Sequence, residues 1–140
     1  MVEIRKYSSH DKSKLVALWA RVFSDDPPHN NPSRVIDAKI AHDDLIFVAT
    51  ENEVIIGACM LGYDGHRGWL YAVAVSPDQR RKGVGRQLIH HAIDTLHSMG
   101  CIKVNLQIRA TNTEVAAFYQ SLGFEVEDRL SMGAFVGKAR

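Results

Sequence analysis

The 140-residue chain has no apolar run near the 18 or so residues that a membrane-crossing helix needs, so no such helix is expected. It has no surplus of either charge. With 17 Lys and Arg against 16 Asp and Glu the net charge is +1, which argues against a nucleic-acid-binding or membrane-binding surface. Cysteine is scarce: Cys59 and Cys101 are too few for a disulfide framework and read as buried small hydrophobes within strands. Despite seven histidines, including His90, His91 and His97 on one helix, metal-ligand spacings such as HExxH and CxxC are missing, and no metal is predicted. The N-terminus, MVEIRKYSSHDK, is charged too early for a signal peptide, so the expected location is cytoplasmic. Proline is confined, with three of the four residues in the stretch 24–33.

What remains is ordinary globular material, 46% apolar and 24% charged, and residues 1–140 are read as one domain. Val2 to Tyr7 alternates as a strand. Leu15, Val16, Leu18, Trp19, Val22 and Phe23 give a helix an apolar face, with Asp11 in its first turn. The proline-rich stretch 24–33 breaks that helix and is a candidate substrate lip, or a plain connection to a second short helix through Val35, Ile36 and Ile40. Leu45 to Thr50 and Glu53 to Tyr63 form a hairpin about Glu51-Asn52. The turn Asp64–Gly68 then leads into Trp69–Val75, a run apolar enough for a strand buried on both faces. A long helix carries Val84, Leu88, Ile89, Ala92, Ile93, Leu96 and Met99 on one stripe and stops at Gly100. Cys101 to Arg109 alternates as a strand with one polar face, a last helix opens at Thr111-Asn112 and ends at Gly123, and Phe124 to Val136 reads as one or two final strands before a short basic tail. The order β-α-α-β-β-β-α-β-α-β implies an α/β (α+β) fold, a mixed sheet covered by helices.

The chemistry concentrates in VAVSPDQRRKGVGR, Val73 to Arg86, where a strand passes through a basic, glycine-bearing turn into a helix. The first N–H groups of a helix have no intrahelical acceptor and carry partial positive charge, so an anion suits that end. Gly83 and Gly85 let a ligand oxygen approach the main chain, and Arg80, Arg81, Lys82 and Arg86 add four cations within seven residues. A phosphate or pyrophosphate is the natural ligand, and a solvated basic turn is the alternative. The spacing fits neither the P-loop, G-x-x-x-x-G-K-[ST], nor the dinucleotide fingerprint, G-x-G-x-x-G.

The stretch resembles the acetyl-CoA motif of the GNAT N-acetyltransferase superfamily, [QR]-x-x-G-x-[GA], matched by Arg80-Arg81-Lys82-Gly83-Val84-Gly85 after a V-x-V-x-P strand end. A second motif follows about 30 residues on. Asn112 to Phe124, NTEVAAFYQSLGF, resembles the superfamily's N-x-x-A-x-x-[FL]-Y-x-x-x-G-F, with Val115 in place of one small residue. The order of elements is the one that superfamily uses, so a single-domain GNAT-like fold with a mixed, mostly antiparallel sheet is implied.

The resemblance also implies roles. The main chain of Val73, Ala74 and Val75 would bond the pantetheine arm of acetyl-CoA, and residues 81 to 86 would supply amides to its pyrophosphate. Asn112 would bond the arm from the other side, and Tyr119 would protonate the departing thiolate. Without the resemblance, Asn112 reads as a helix N-cap and Tyr119 as a core aromatic. The implied activity is acetyl transfer to a primary amine of a small molecule or protein, with a catalytically weak or inactive CoA-binding regulatory module as the alternative, an interaction domain without cofactor as a third class, and a homodimer left open. The base is not evident. LQIRATN, residues 106 to 112, resembles LEVRASN of the peptide α-amine acetyltransferases, but Gln107 stands where their Glu would be and cannot take a proton. Tyr71, His66, Asp64, Glu51 or a backbone-held water remain as candidates.

Overall fold

A left-handed turn organises the middle of the chain. Asn52 and Glu53 lie at φ 51° and 65°, so the turn has the twist that suits a two-residue hairpin, and β2 (Ile46–Glu51) folds back on β3 (Val54–Tyr63). β1 (Glu3–Lys6) pairs antiparallel with β2, and β4 (Gly68–Val75) pairs antiparallel with β3. β5 (Val104–Asn105) joins β4 in parallel, closing a five-stranded mixed sheet in the order β1-β2-β3-β4-β5. The computed structural model describes residues 1–25 and 27–137, and its chain divides into two compact units, residues 1–107 and 108–140. Asp26 and the basic tail 138–140 lie outside the described residues.

Alternation along β2 builds both faces of the first unit. Ile46 and Val48 meet Leu15, Leu18, Trp19 and Ile36 of α1 (Lys12–Val22) and α2 (Pro32–His42). Phe47 points the other way and sets its ring edge-on to His91 of α3 (Val84–Ser98), at 4.7 Å between centroids. Gly57 lies on that second face because a Cβ there would stand 3.1 Å from both Val84 and Leu88. The sheet is therefore covered by α1 and α2 on one side and by α3 on the other, as a mostly antiparallel GNAT-like sheet requires. Asp11 does not sit in the first turn of α1, as the sequence suggested. It ends a 3-10 turn, where its carboxylate accepts from the Ser8 backbone N–H and takes a two-pronged bond from Arg5 at 2.8 and 2.9 Å. Asn31 caps α2 through its side chain, and Pro32 occupies the first helical position.

Three further sequence expectations differ from the structure. The strand expected over 101–109 shrinks to Val104–Asn105, and Cys101 is not in it: the C-terminal cap of α3 takes the Cys101 N–H to the Leu96 carbonyl, with Gly100 at φ 91°. Cys59, by contrast, lies inside β3, and both cysteines are buried and free. The final strands over 124–136 do not form. Val126, Leu130 and Met132 alternate, yet the described stretch has neither strand nor helix, because alternation makes a strand only where a partner offers a ladder. Finally, β4 is not buried on both faces: Tyr71 is 44% exposed, and Trp69, Ala72, Val73 and Val75 are half-buried.

The second unit holds α4 (Thr113–Ser121). Asn112 caps its start, accepting from the Val115 N–H at 3.3 Å. At its end Gly123, at φ 97°, lets the Phe124 N–H return to the Tyr119 carbonyl and its own N–H to Gln120.

Candidate active site

The irregularity of β4 comes from a bulge. Ala58 is opposite Ala74 and Met60 is opposite Tyr71, so Ala72 and Val73 together face the single residue Cys59. Ala72 takes φ 50°, a left-handed conformation that alanine adopts only when held there. One extra residue shifts the phase of the strand. Tyr71 shares a face with Met60 before the bulge and Ala74 shares that face with Ala58 after it, so odd positions give way to even ones. This explains why Trp69–Val75 looks uniformly apolar in sequence. No glycine marks the bulge, and the only signal was the absence of alternation.

A second break follows from the other neighbour. β4 pairs with β5 at Gly68 and Trp69 alone, and among the described residues no strand pairs with it beyond that point on the β5 side. The edge from Ala72 to Val75 thus has no strand partner on that side. The Ser76 N–H bonds the Ile56 carbonyl on the β3 side, so by the alternation of a ladder the main-chain groups of Val75 point to the open edge. A peptide-like ligand arm could add there as a strand would.

The turn beyond β4 is tied down by side chains. Ser76, buried, donates its hydroxyl to Asp78 at 2.6 Å and accepts from the Arg21 guanidinium, while the Gln79 N–H returns to the Ser76 carbonyl. The Ser76 hydroxyl holds the Asp78 carboxyl below the usual carboxylate range. The chain then passes through Arg81 at φ 66° to Gly83 at φ 82°, the N-cap of α3. No side chain caps this end. The first intrahelical bond there is from the Gln87 N–H to the Gly83 carbonyl, so the amides of Val84, Gly85 and Arg86 are left as donors at the helix start. A Cβ built on Gly83 would meet nothing within 4 Å, so open space fronts the turn. Arg80, Arg81, Lys82 and Arg86 are exposed around it, whereas the Val84 side chain turns into the core at 2% exposure and can offer only its amide.

The structure therefore brings Val73, Ala74 and Val75 into sequence with residues 80–86 on one strand, turn and helix. Asn112 and Tyr119 belong to the second unit. There Asn112 is a helix cap, and Tyr119 is 7% exposed with its ring edge-on to Phe124 at 5.5 Å.

The base candidates separate by position and acidity. Asp64 accepts from the backbone N–H groups of Arg67 and His66 at 2.7 and 2.8 Å, which holds its carboxyl below the usual range and makes it a weak base. Burial, and secondarily Asp64, pushes the Tyr71 phenol up, so it is protonated at neutral pH. His66 sits in the hairpin turn, six residues before the bulge, up to roughly 20 Å along a strand. Glu51 is at the far end of β2, opposite Val54 and 3.7 Å from the N-terminal ammonium. Gln107 is exposed beyond the end of β5. Among the described residues no group of three His, Cys, Asp or Glu side chains is placed to hold a metal ion, and no helix is long and apolar enough to cross a membrane.

The family model of the Acetyltransferase (GNAT) family matches residues 12–124. An acetyltransferase of Pectobacterium atrosepticum is 38% identical over 133 residues, covering 94% of each chain. The fold is also similar to the ribosomal-protein-S18-alanine N-acetyltransferase of Escherichia coli, with TM-score 0.79 and 26% identity over 89% of this chain and 78% of that one. An aminoglycoside N-acetyltransferase solved in complex with CoA shares the fold at TM-score 0.82 and 21% identity, over 97% of this chain and 95% of that one.

Proposed function

The chain belongs to the GNAT family of acetyltransferases and is an N-acetyltransferase, and we propose that it passes the acetyl group of acetyl-CoA directly to a primary amine of a small molecule or protein. One observation carries the donor assignment: an open strand edge runs through a basic turn into an uncapped helix start, with empty space in front of Gly83. A pyrophosphate fits the amides of residues 83–86 and the cations beside them, and the arm fits the edge of Val73–Val75. Reading residues 1–140 as one N-acetyltransferase domain is supported by the family match over 12–124 and by relatives that span nearly the whole chain.

Acetyl-CoA supplies a thioester whose carbonyl carbon an amine can attack, so no nucleophilic Ser or Cys is needed. The chain's part is to orient and to move protons. A main-chain N–H at the bulge would polarise the carbonyl, and the Tyr119 hydroxyl, assigned from its motif, would give its proton to the sulfur. The acceptor ammonium must first lose a proton. With Gln107 in place of a carboxylate, Asp64 weakened and Tyr71 held protonated, that proton passes through water to solvent. Gln107 also favours a second reading, a CoA-binding module with little chemistry. Calorimetric titration with CoA tests the shared premise. One site per chain is expected, and a chain that binds no CoA would sink both readings.

A further inference from the structure

The bulge of β4 is held from outside the sheet. Trp19, on α1 and 2% exposed, donates its indole N–H to the Ala72 carbonyl at 2.9 Å, across 53 residues of sequence. The same carbonyl belongs to the residue at φ 50°, the one non-glycine left-handed position within the sheet's strands. A bulge turns a carbonyl out of the ladder, and a carbonyl buried without a donor is costly; the strained φ adds to that cost. We propose that Trp19 is a positioning residue for acetyl transfer. Its N–H keeps the Ala72 carbonyl turned out, which holds the bulge and sets the direction of the Val73–Val75 main chain at the open edge. Trp19 touches no substrate and acts through Ala72. Without the bond, β4 can relax toward a regular ladder, in which the phase shift at Cys59 is lost and the edge groups swing away. The inference rests on the reading that this edge receives the donor's arm.

Trp19→Phe keeps an aromatic ring on α1 and removes the N–H. We expect kcat/KM for acetyl-CoA to fall about tenfold, the ratio set by one buried hydrogen bond of ordinary strength, with kcat falling more than CoA affinity. Amide hydrogen exchange at residues 72–74 should quicken, while exchange in α3 stays as in the wild type. Ala72→Gly removes the left-handed strain, so the double variant W19F/A72G should recover most of the lost turnover. Wild-type turnover and exchange in W19F would overturn the proposal. So would a loss of turnover that tracks melting temperature alone and is not relieved by A72G, since the indole would then be only packing. If W19F does not fold, benzothienylalanine at position 19, a tryptophan isostere without the N–H, answers the same question. The exchange readout needs no ligand, so a wild type that fails to bind CoA would refute the donor reading while leaving the role of the bond measurable.

Discussion

Replacing Gly83 by Asn and by Asp isolates the electrostatics of the turn. Both side chains have nearly the same shape, both tolerate positive φ better than other residues, and a Cβ at Gly83 meets no atom within 4 Å, so neither should clash. At φ 82° each should cost the fold a similar amount, on the order of 1 kcal/mol. They differ by one negative charge. A carboxylate about 6 Å from a phosphate, with an effective dielectric constant between 20 and 80, is repelled by roughly 0.7–2.8 kcal/mol. CoA should therefore bind Gly83→Asp about tenfold more weakly than Gly83→Asn, with the two melting temperatures alike. Because these charges meet solvent, the gap should narrow as salt rises from 0.05 to 0.5 M, where the screening length falls from about 14 to about 4 Å. Calorimetric titrations of both variants at the two salt levels give the comparison directly. Equal affinities in low salt would mean that the pyrophosphate is not at this helix start.

Tyr119→Phe keeps the ring against Phe124 and removes the hydroxyl, so kcat should fall by about 10²-fold with acetyl-CoA affinity little changed; wild-type turnover with chemistry rate-limiting would reduce Tyr119 to a core aromatic. With Asp64 held low and Tyr71 held high, the water relay leaves deprotonation to the amine's own basicity, so kcat/KM should keep rising above about pH 8. A plateau near pH 7 that His66→Ala abolishes would refute the water relay. The Arg5 bond, chiefly, holds the Asp11 carboxyl below the usual range, so its contribution to stability is present above the unfolded value of about 3.9 and is lost as pH falls through the folded value. Asp11→Asn should thus lower stability by about 1–3 kcal/mol at pH 7, and the difference in melting temperature should shrink below about pH 4. A gap that does not shrink at all as pH falls below about 4 would trace the loss to packing instead.

The sequence showed most clearly what local chemistry alone decides. Gly83 and the cations around it, the capping Asn112 and the stop at Gly100 are short-range signals, and each lies where its residue type leads one to expect. What was hidden depends on partners distant in sequence. Ala72 looks like one more small residue in an apolar run, and its left-handed conformation follows only from Cys59 opposite it and Trp19 above it. The shortness of β5 is likewise set by β4, which leaves it after Trp69. Periodicity over 101–109 and 124–136 reports which residues could share a face, and it cannot report whether a neighbouring strand has room for them.

Acetyl transfer to an amine, from a donor held on the β4 edge and the α3 turn, is the proposed chemistry. It is tested most directly by incubating the protein with acetyl-CoA and a panel of primary amines and amine-ended peptides, measuring free thiol and acetylated product together. At least one acceptor should release CoA and gain one acetyl group in equal amounts, at a rate that Tyr119→Phe cuts sharply. Acetyl-CoA that binds but releases no thiol with any amine, or releases it with no acetylated product, would contradict transfer and leave a CoA-binding module.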